Sequence, residues 1–212
     1  MNLDLYVDTS RKGISMALAT SGAEGAQARY EEIVNTEARG EILGASLDEL
    51  LKRLDSTLDD VKRVMVTLGP GSFSGLRTGV AFCQGLSFSG KRELYGVTTL
   101  QALECFAGSA AAVVIRARNG FWYLRLNGKE SFIETAEVIE ALRAAKPKAI
   151  VADSPAIADE TLKAVFAEIG ASVTLDTGKP LDMWKPLFDC IKPSLIQEAN
   201  YIQPSYFEKL KA

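Results

Sequence analysis

Histidine is missing from all 212 residues of this chain. That removes every Ser–His or Cys–His nucleophile pair, every histidine general base and every imidazole metal ligand. Cysteine is scarce. Cys83, Cys105 and Cys190 are far apart, odd in number and form no CxxC pair, so neither a disulfide framework nor a thiolate metal site is expected, and each thiol reads as a buried structural group. No run of Lys and Arg occurs, and 24 cations against 27 carboxylates leave a formal net charge of −3. Nucleic-acid affinity comes largely from clustered cations that neutralise phosphates, so the chain is poorly equipped to hold RNA or DNA alone. No apolar run reaches membrane-spanning length. The opening Met1-Asn2-Leu3-Asp4-Leu5 lacks the basic start and long apolar stretch of a secretory signal. A cytoplasmic protein with no membrane partner is the expectation.

What is present is a sizeable apolar fraction, 47%, enough for one large domain or two small ones. Strands are expected at residues 3–7, 13–19 and 28–34, followed by an amphipathic helix near 40–54. There Leu43, Leu47, Leu50, Leu51 and Leu54 share one face. A buried strand at 61–68 leads into Gly69-Pro70-Gly71-Ser72-Phe73-Ser74-Gly75-Leu76-Arg77-Thr78-Gly79 and a helix to about Ser89. The first hundred residues thus read β-β-β-α-β-α. Thr98-Thr99-Leu100-Gln101 matches a capping box opening a short helix.

After Gly108 the pattern restarts. Strands are expected at 111–115, 121–126 and 131–133, with Asn127-Gly128 as a hairpin turn. Thr135 is read as the cap of a helix to Ala145, before a strand at 149–152, a helix from Ile157 to Ile169 ended by Gly170, a strand at 173–175 and a helix over Leu181–Ile191. The second half repeats the first in the order of its elements, with no visible sequence repeat. Two tandem β-β-β-α-β-α halves indicate an α/β protein of the actin-like ATPase (ribonuclease H-like) fold. The expected domains are 1–100 and 101–212, with the last residues able to pack back on the first domain.

The glycine-rich turn invites a phosphate-binding reading, because backbone amides at a helix N-terminus cradle anions. It fails both nucleotide fingerprints. A P-loop needs Gly-Lys-Ser/Thr where this chain has Gly75-Leu76-Arg77, and in the Rossmann spacing Gly75 falls one residue too late. Close packing is the other explanation. Gly75, Gly79 and Cys83 align on one helical face, and Ala81, Gly85 and Ser89 on a second. An interior helix glycine costs about 0.5–1 kcal/mol relative to alanine, so closely approaching atoms must offset that loss. Spacing alone leaves open whether those atoms belong to this chain or another.

Several segments resemble one family. Gly69 to Gly79 is similar to the G-P-G-S-F-T-G-L-R-I-G signature of the TsaB (YeaZ) family. Leu5-Tyr6-Val7-Asp8-Thr9-Ser10 resembles its I-L-A-I-D-T-S opening, Ile42 to Leu51 its first helix, Gly96 to Leu103 its G-V-S-S-L-x-A-L segment and Pro204-Ser205-Tyr206 its late P-x-Y. The resemblance covers the first hundred residues well and the second half weakly. Two segments depart from it: Asn35 to Glu41 replaces H-S-E-x-L-L, and Arg116-Ala117-Arg118 stands where the family has D-A-R.

The resemblance implies a non-catalytic subunit of the bacterial machinery that forms N6-threonylcarbamoyladenosine on tRNAs decoding ANN codons. It implies a TsaD-like catalytic partner, whose metal site uses histidines that this chain lacks. It also implies a TsaE-like ATPase, a homodimer when alone, and tRNA contact only through the complex. The implied partner surface lies on the first two helices, at Leu43, Leu47, Gly75, Leu76, Gly79, Val80, Cys83 and Gln84. Most of the leucines are expected in the core, which leaves the small-residue face of the second helix as the better interface candidate. Asp8-Thr9-Ser10 occupies the place of the first phosphate loop of actin-like ATPases, without the usual glycine, and reads as vestigial. No cofactor of its own is expected, with ATP or ADP at the partner interface the exception. The alternative is an ATPase or small-molecule kinase of the same fold. Arg116, Arg118, Trp122 and Tyr123 form a basic-aromatic cluster on the second hairpin, for which edge-strand solubility is the plainer role and RNA or ligand contact the other.

Overall fold

The computed structural model describes residues 2–11, 13–22, 30–37, 40–107, 111–176 and 185–202. The start of the expected third strand at Ala28, the first residues of the Leu181–Ile191 helix and Pro204-Ser205-Tyr206 lie outside them. The chain divides into two units: Met1–Thr99 with Pro180–Asn200, and Leu100–Lys179 with Tyr201–Ala212.

In the first unit β1 (Leu3–Asp8), β2 (Ile14–Thr20) and β3 (Tyr30–Asn35) form an antiparallel meander. A 3-10 turn at Gly40–Ile42 runs into helix α1 (Leu43–Arg53). Strand β4 (Val61–Thr67) returns parallel to β1, α2 (Phe73–Ser87) follows, and β5 (Glu93–Val97) adds parallel to β4. The sheet order is β3-β2-β1-β4-β5. Both faces of the central strands are covered: every residue of β1 and β2 is buried, Asp4 and Asp8 included. The leucine face of α1 packs on this sheet, so Leu43, Leu47, Leu50, Leu51 and Leu54 join Leu5, Val7, Met16, Val64 and Val66 in one core.

The boundary falls after the first residue of α3 (Thr99–Ala107); the second unit then repeats the plan with β6 (Ala111–Arg118), β7 (Phe121–Leu126), β8 (Lys129–Glu134), α4 (Thr135–Ala145) and β9 (Ala149–Ala152). Two short helices, α5 (Ser154–Ala158) and α6 (Glu160–Glu168), precede β10 (Ser172–Leu175). Its sheet order, β8-β7-β6-β9-β10, is the first sheet's order again. The fold is α/β, built as two mixed sheets of one shared topology.

Five expectations change. Strand β5 was not foreseen: Gly96 interrupts its apolar run, and glycine reads as a strand breaker. Here the Gln197 side-chain oxygen packs against it, 2.1 Å from where a Cβ would sit. The single helix over Ile157–Ile169 is two helices. Asp153 caps the first by accepting from Ala156 N at 2.9 Å, and Asp159 caps the second by accepting from Thr161 N and Leu162 N, both at 3.1 Å. Glu134, not Thr135, is the N-cap of α4; the Thr135 hydroxyl instead accepts from Trp122 Nε1 at 2.9 Å. Of the three thiols only Cys83 is buried, Cys105 being half-buried and Cys190 exposed. The described part of the last expected helix is one 3-10 segment, Lys185–Asp189.

A capping box precedes β4. Thr57 N and Oγ1 both donate to Asp60 Oδ2 at 2.9 Å. The Thr57 backbone N–H, and then its hydroxyl, stabilise the carboxylate and hold the Asp60 pKa down at about 2. A depressed carboxylate contributes stability above its unfolded pKa and loses it as pH falls through the folded value. A carboxyl-carbon NMR titration is expected to place the Asp60 midpoint near 2; a midpoint at the ordinary aspartate value would show the box open in solution.

Candidate functional site

The loop after β1 and the start of α2 are built into each other. Asp8 is buried at the end of β1, and its Oδ1 accepts three hydrogen bonds, from Ser10 N at 2.8 Å, Ser10 Oγ at 2.6 Å and Thr67 Oγ1 at 2.7 Å. Its Oδ2 lies 3.9 Å from Arg11 Nε. Asp8 thus ties its own loop to the end of β4.

The glycine turn closes on that loop from the other side. Ser72 N donates to Ser10 O at 2.6 Å, and Ser72 Oγ caps α2 by accepting from Gly75 N at 3.3 Å. A Cβ on Gly71 would sit 2.1 Å from Ser10 O, on Gly75 2.2 Å from Thr9 O, and on Gly79 2.2 Å from Thr9 Oγ1. Real Cβ atoms do not approach so closely, so Gly71 and Gly75 admit the Thr9–Ser10 backbone and Gly79 admits the Thr9 side chain. Gly69 is needed for conformation as well, at φ +107°, and its carbonyl accepts from Thr99 N at 2.8 Å.

An open cleft of about 900 Å³ lies beside this junction. Ser10, Arg11, Glu37, Glu41, Ser74 and Thr78 line it. Thr9 also borders it; its hydroxyl is buried without a hydrogen-bond partner among the described residues.

The residues expected on a partner surface fall into three groups. Leu43, Leu47, Leu76, Val80 and Cys83 are buried in the first unit. Burial pushes the Cys83 thiol well above the ordinary thiol range, which leaves it unreactive. Gly75 and Gly79 face Thr9. The close packing that their spacing indicated is therefore internal, and the face they form is not the exposed one. Gln84 is half-buried and donates to the carbonyls of Leu195 and Gln197 at 3.3 and 3.2 Å.

The exposed face of α2 is a different stripe: Phe73, Arg77, Ala81, Gly85 and Phe88. Phe73 is 55% and Phe88 80% exposed, and the Arg77 guanidinium lies 4.2 Å over the Phe73 ring. A Cβ on Gly85 would meet nothing within 4 Å. This interior glycine weakens the helix with no close contact in its own unit to offset the loss. The same holds for exposed Gly44 in α1. The outward positions were legible once Leu76, Val80 and Cys83 were turned inward on the helical period.

The basic-aromatic cluster of the second unit divides across its sheet. Trp122 is buried in the core with Leu124, Val138 and Leu142. On the other face Tyr123 meets the ring of Phe132, which in turn stacks on Phe121, and the sequence pattern had singled out neither phenylalanine.

No group of three or more ligating side chains suited to a metal occurs among the described residues, and no helix there is long and apolar enough to cross a membrane. Two tandem sheets of one order, with the crossover helix of the first sealed on its first strand, define an actin-like α/β protein. The family model described as TsaD: tRNA N6-adenosine threonylcarbamoyltransferase matches residues 34–168, and the chain belongs to that family. Within it the resemblance is to the TsaB (YeaZ) kind. Escherichia coli (strain K12) TsaB, a tRNA threonylcarbamoyladenosine biosynthesis protein, is 30% identical over 99 residues, 47% of this chain and 41% of that one. The tRNA N6-adenosine threonylcarbamoyltransferase of Desulfovibrio desulfuricans is 41% identical over 66 residues, 31% of this chain and 18% of that one. The match thus spans less than half the length of either curated relative. YeaZ from Pseudomonas aeruginosa shares the fold at TM-score 0.58, with 20% identity over 90% of this chain and 92% of that one. A second Pseudomonas aeruginosa structure, described as similar to peptidase YEAZ, does so at 0.67, with 21% identity over 96% and 100%.

Proposed function

We propose that the chain is a non-catalytic, cytoplasmic subunit in the formation of N6-threonylcarbamoyladenosine on tRNAs decoding ANN codons, and that it pairs with a TsaD-like catalytic subunit. The observation that carries this is the outward stripe of α2, with two largely exposed phenylalanines around Ala81 and Gly85. Exposed aromatic side chains at the two ends of a small-residue gap fit a helix from another chain. The absence of histidine supports the division of labour, since the imidazole metal ligands of the resemblance must come from the partner. In this reading residues 1–100 form the partner-binding domain and 101–212 the second domain. A TsaE-like ATPase joins the pair, tRNA is met through the complex, and a second copy takes the same surface when the partner is absent.

Gly85→Arg and Phe88→Asp are expected to lower capture of the cognate TsaD-like protein about tenfold or more, with circular dichroism unchanged. Threonylcarbamoyl transfer to tRNA by the reconstituted mixture is expected to stop when the chain is left out. Full transfer without it would remove this reading.

The cleft of about 900 Å³ beside Asp8 favours a second reading, an ATPase or small-molecule kinase of the same fold, or a nucleotide held where the partner closes the cleft. Calorimetric titration with Mg-ATP separates these. Saturable heat from the chain alone supports the enzyme, and heat only in the presence of the partner supports the joint site.

A further inference from the structure

Residues 193–200 form a strap on the first unit, with no helix or strand of its own. Hydrogen bonds hold it at both ends and in the middle. Ser194 N donates to Leu94 O on β5 at 2.8 Å, and Asn200 N donates to Leu68 O just past β4 at 2.6 Å. Between them Gln84 Nε2, on α2, donates to the carbonyls of Leu195 and Gln197. Within the strap Gln197 Nε2 donates to Ser194 O at 2.8 Å, and Ser194 Oγ donates to Ile196 O at 3.0 Å.

This anchored backbone presents apolar side chains to solvent. Leu195 is 45% and Ile196 77% exposed. Ile196 and Phe88 are the two most exposed large apolar side chains among the described residues, and both lie at one end of α2. The Gln84 amide binds the carbonyls on either side of Ile196, and Phe88, the C-cap of α2, follows one turn later. Leu195 also lines a hollow of about 150 Å³ with Ser87 and Gly90, which bracket Phe88 in the chain. Ordering a loop backbone costs conformational entropy. Here that order is already built, so a partner meeting Leu195 and Ile196 loses less on binding.

The charge of this end of α2 selects the kind of partner. Lys192 and Glu198 lie on either side of the apolar pair with opposite signs. Lys91 and Arg92, just past the helix, both face Asp59, at 3.9 and 3.8 Å. Arg77, the one charge on α2, lies near its other end. A nucleic acid or an anionic lipid surface needs clustered, unbalanced cations, and this surface has none. An apolar protein surface is what it fits.

We propose that the strap is a second wall of the pairing surface. A helix of the TsaD-like subunit lies along the outward stripe of α2 and closes its contact on Phe88, Leu195 and Ile196. Gln84 is a positioning residue, since its amide nitrogen is committed to the strap carbonyls. The inference rests on the pairing reading above, and adds to it a segment from the other end of the chain.

Capture of the cognate TsaD-like protein by the full chain tests this, with folding followed by circular dichroism. Ile196→Asp is expected to lower capture about tenfold, with circular dichroism unchanged because the side chain is exposed. Gln84→Glu sets a carboxylate against two carbonyls. It is expected to lower capture by about the same factor, with faster hydrogen exchange at the Ser194 and Asn200 amides and unchanged exchange in β1. The double variant is expected to lose about tenfold in all, because a released strap has already withdrawn Ile196. A loss of about a hundredfold, the product of the two, would put Gln84 directly on the partner and overturn its positioning role. Capture unchanged in Ile196→Asp, while Gly85→Arg and Phe88→Asp reduce it, would remove the strap and leave the pairing reading standing. No capture by wild type would remove the pairing reading itself. Self-association of the isolated chain lost in Ile196→Asp with capture unchanged would make a second copy the occupant, and would also overturn the proposal.

Discussion

Gly75→Ala is expected to lose about 3 kcal/mol of folding stability, read as a lowered urea midpoint with an unchanged slope. An alanine normally strengthens a helix, so the sign is opposite to that of propensity. The reason is the carbonyl of Thr9, 2.2 Å from where the new methyl must sit. That oxygen is backbone, in a loop anchored by the triple acceptor Asp8 Oδ1, so it cannot swing aside as a flexible side chain would. Gly85→Ala in the same helix is the control. With open space around it, it is expected to gain about 0.5–1 kcal/mol. Equal responses at the two sites would contradict the packing described. A bulky residue at Gly79, 2.2 Å from Thr9 Oγ1, disturbs the fold before it reports on a partner, so pairing is better tested at Gly85 and Phe88.

Arg63→Ala is expected to be equally severe, at about 3 kcal/mol. Asp4 on β1 is 1% exposed. Arg63 on β4 holds it with two hydrogen bonds, Nε to Oδ1 at 2.8 Å and Nη2 to Oδ2 at 2.5 Å, and Ser21 Oγ adds a third. The guanidinium also lies 4.3 Å over the Phe188 ring. Removing the arginine leaves a buried carboxylate with only a hydroxyl to replace water, and uncovers a ring. Replacing both partners, as Asp4→Asn with Arg63→Met, is expected to recover part of the loss, because no unpaired charge remains. A double variant as unstable as Arg63→Ala would show that shape, not charge, dominates there.

The strands and the duplicated order were legible because periodicity is local. Ala149–Ala152 was placed to the residue, and Asn127-Gly128 marked its hairpin. Where two local signals conflicted, the pattern misled. Gly96 hid β5, and the apolar period across Ile157–Ile169 outweighed the Asp153 and Asp159 caps. The site was legible in part. That the glycines serve close packing followed from their spacing. That Thr9 and Ser10 are the neighbours did not, since those residues sit on another strand and nothing local couples them. The Phe121–Phe132 stack was hidden for the same reason: each ring is one residue in its own strand, and only the register Tyr123↔Phe132 brings them together.

The two sheets share one strand order but join first strand to crossover helix in opposite ways. In the first unit a crossover amide, Ser72 N, donates to a strand-loop carbonyl, and the approach demands glycine. In the second a crossover carboxylate, Asp153, accepts from Arg116 N at 2.8 Å. One joint is a backbone seam that admits no side chain; the other is a side-chain latch. The same architecture is therefore unevenly open to change. The first joint has almost no room for new residues, whereas the second asks only for a short acceptor that also caps α5.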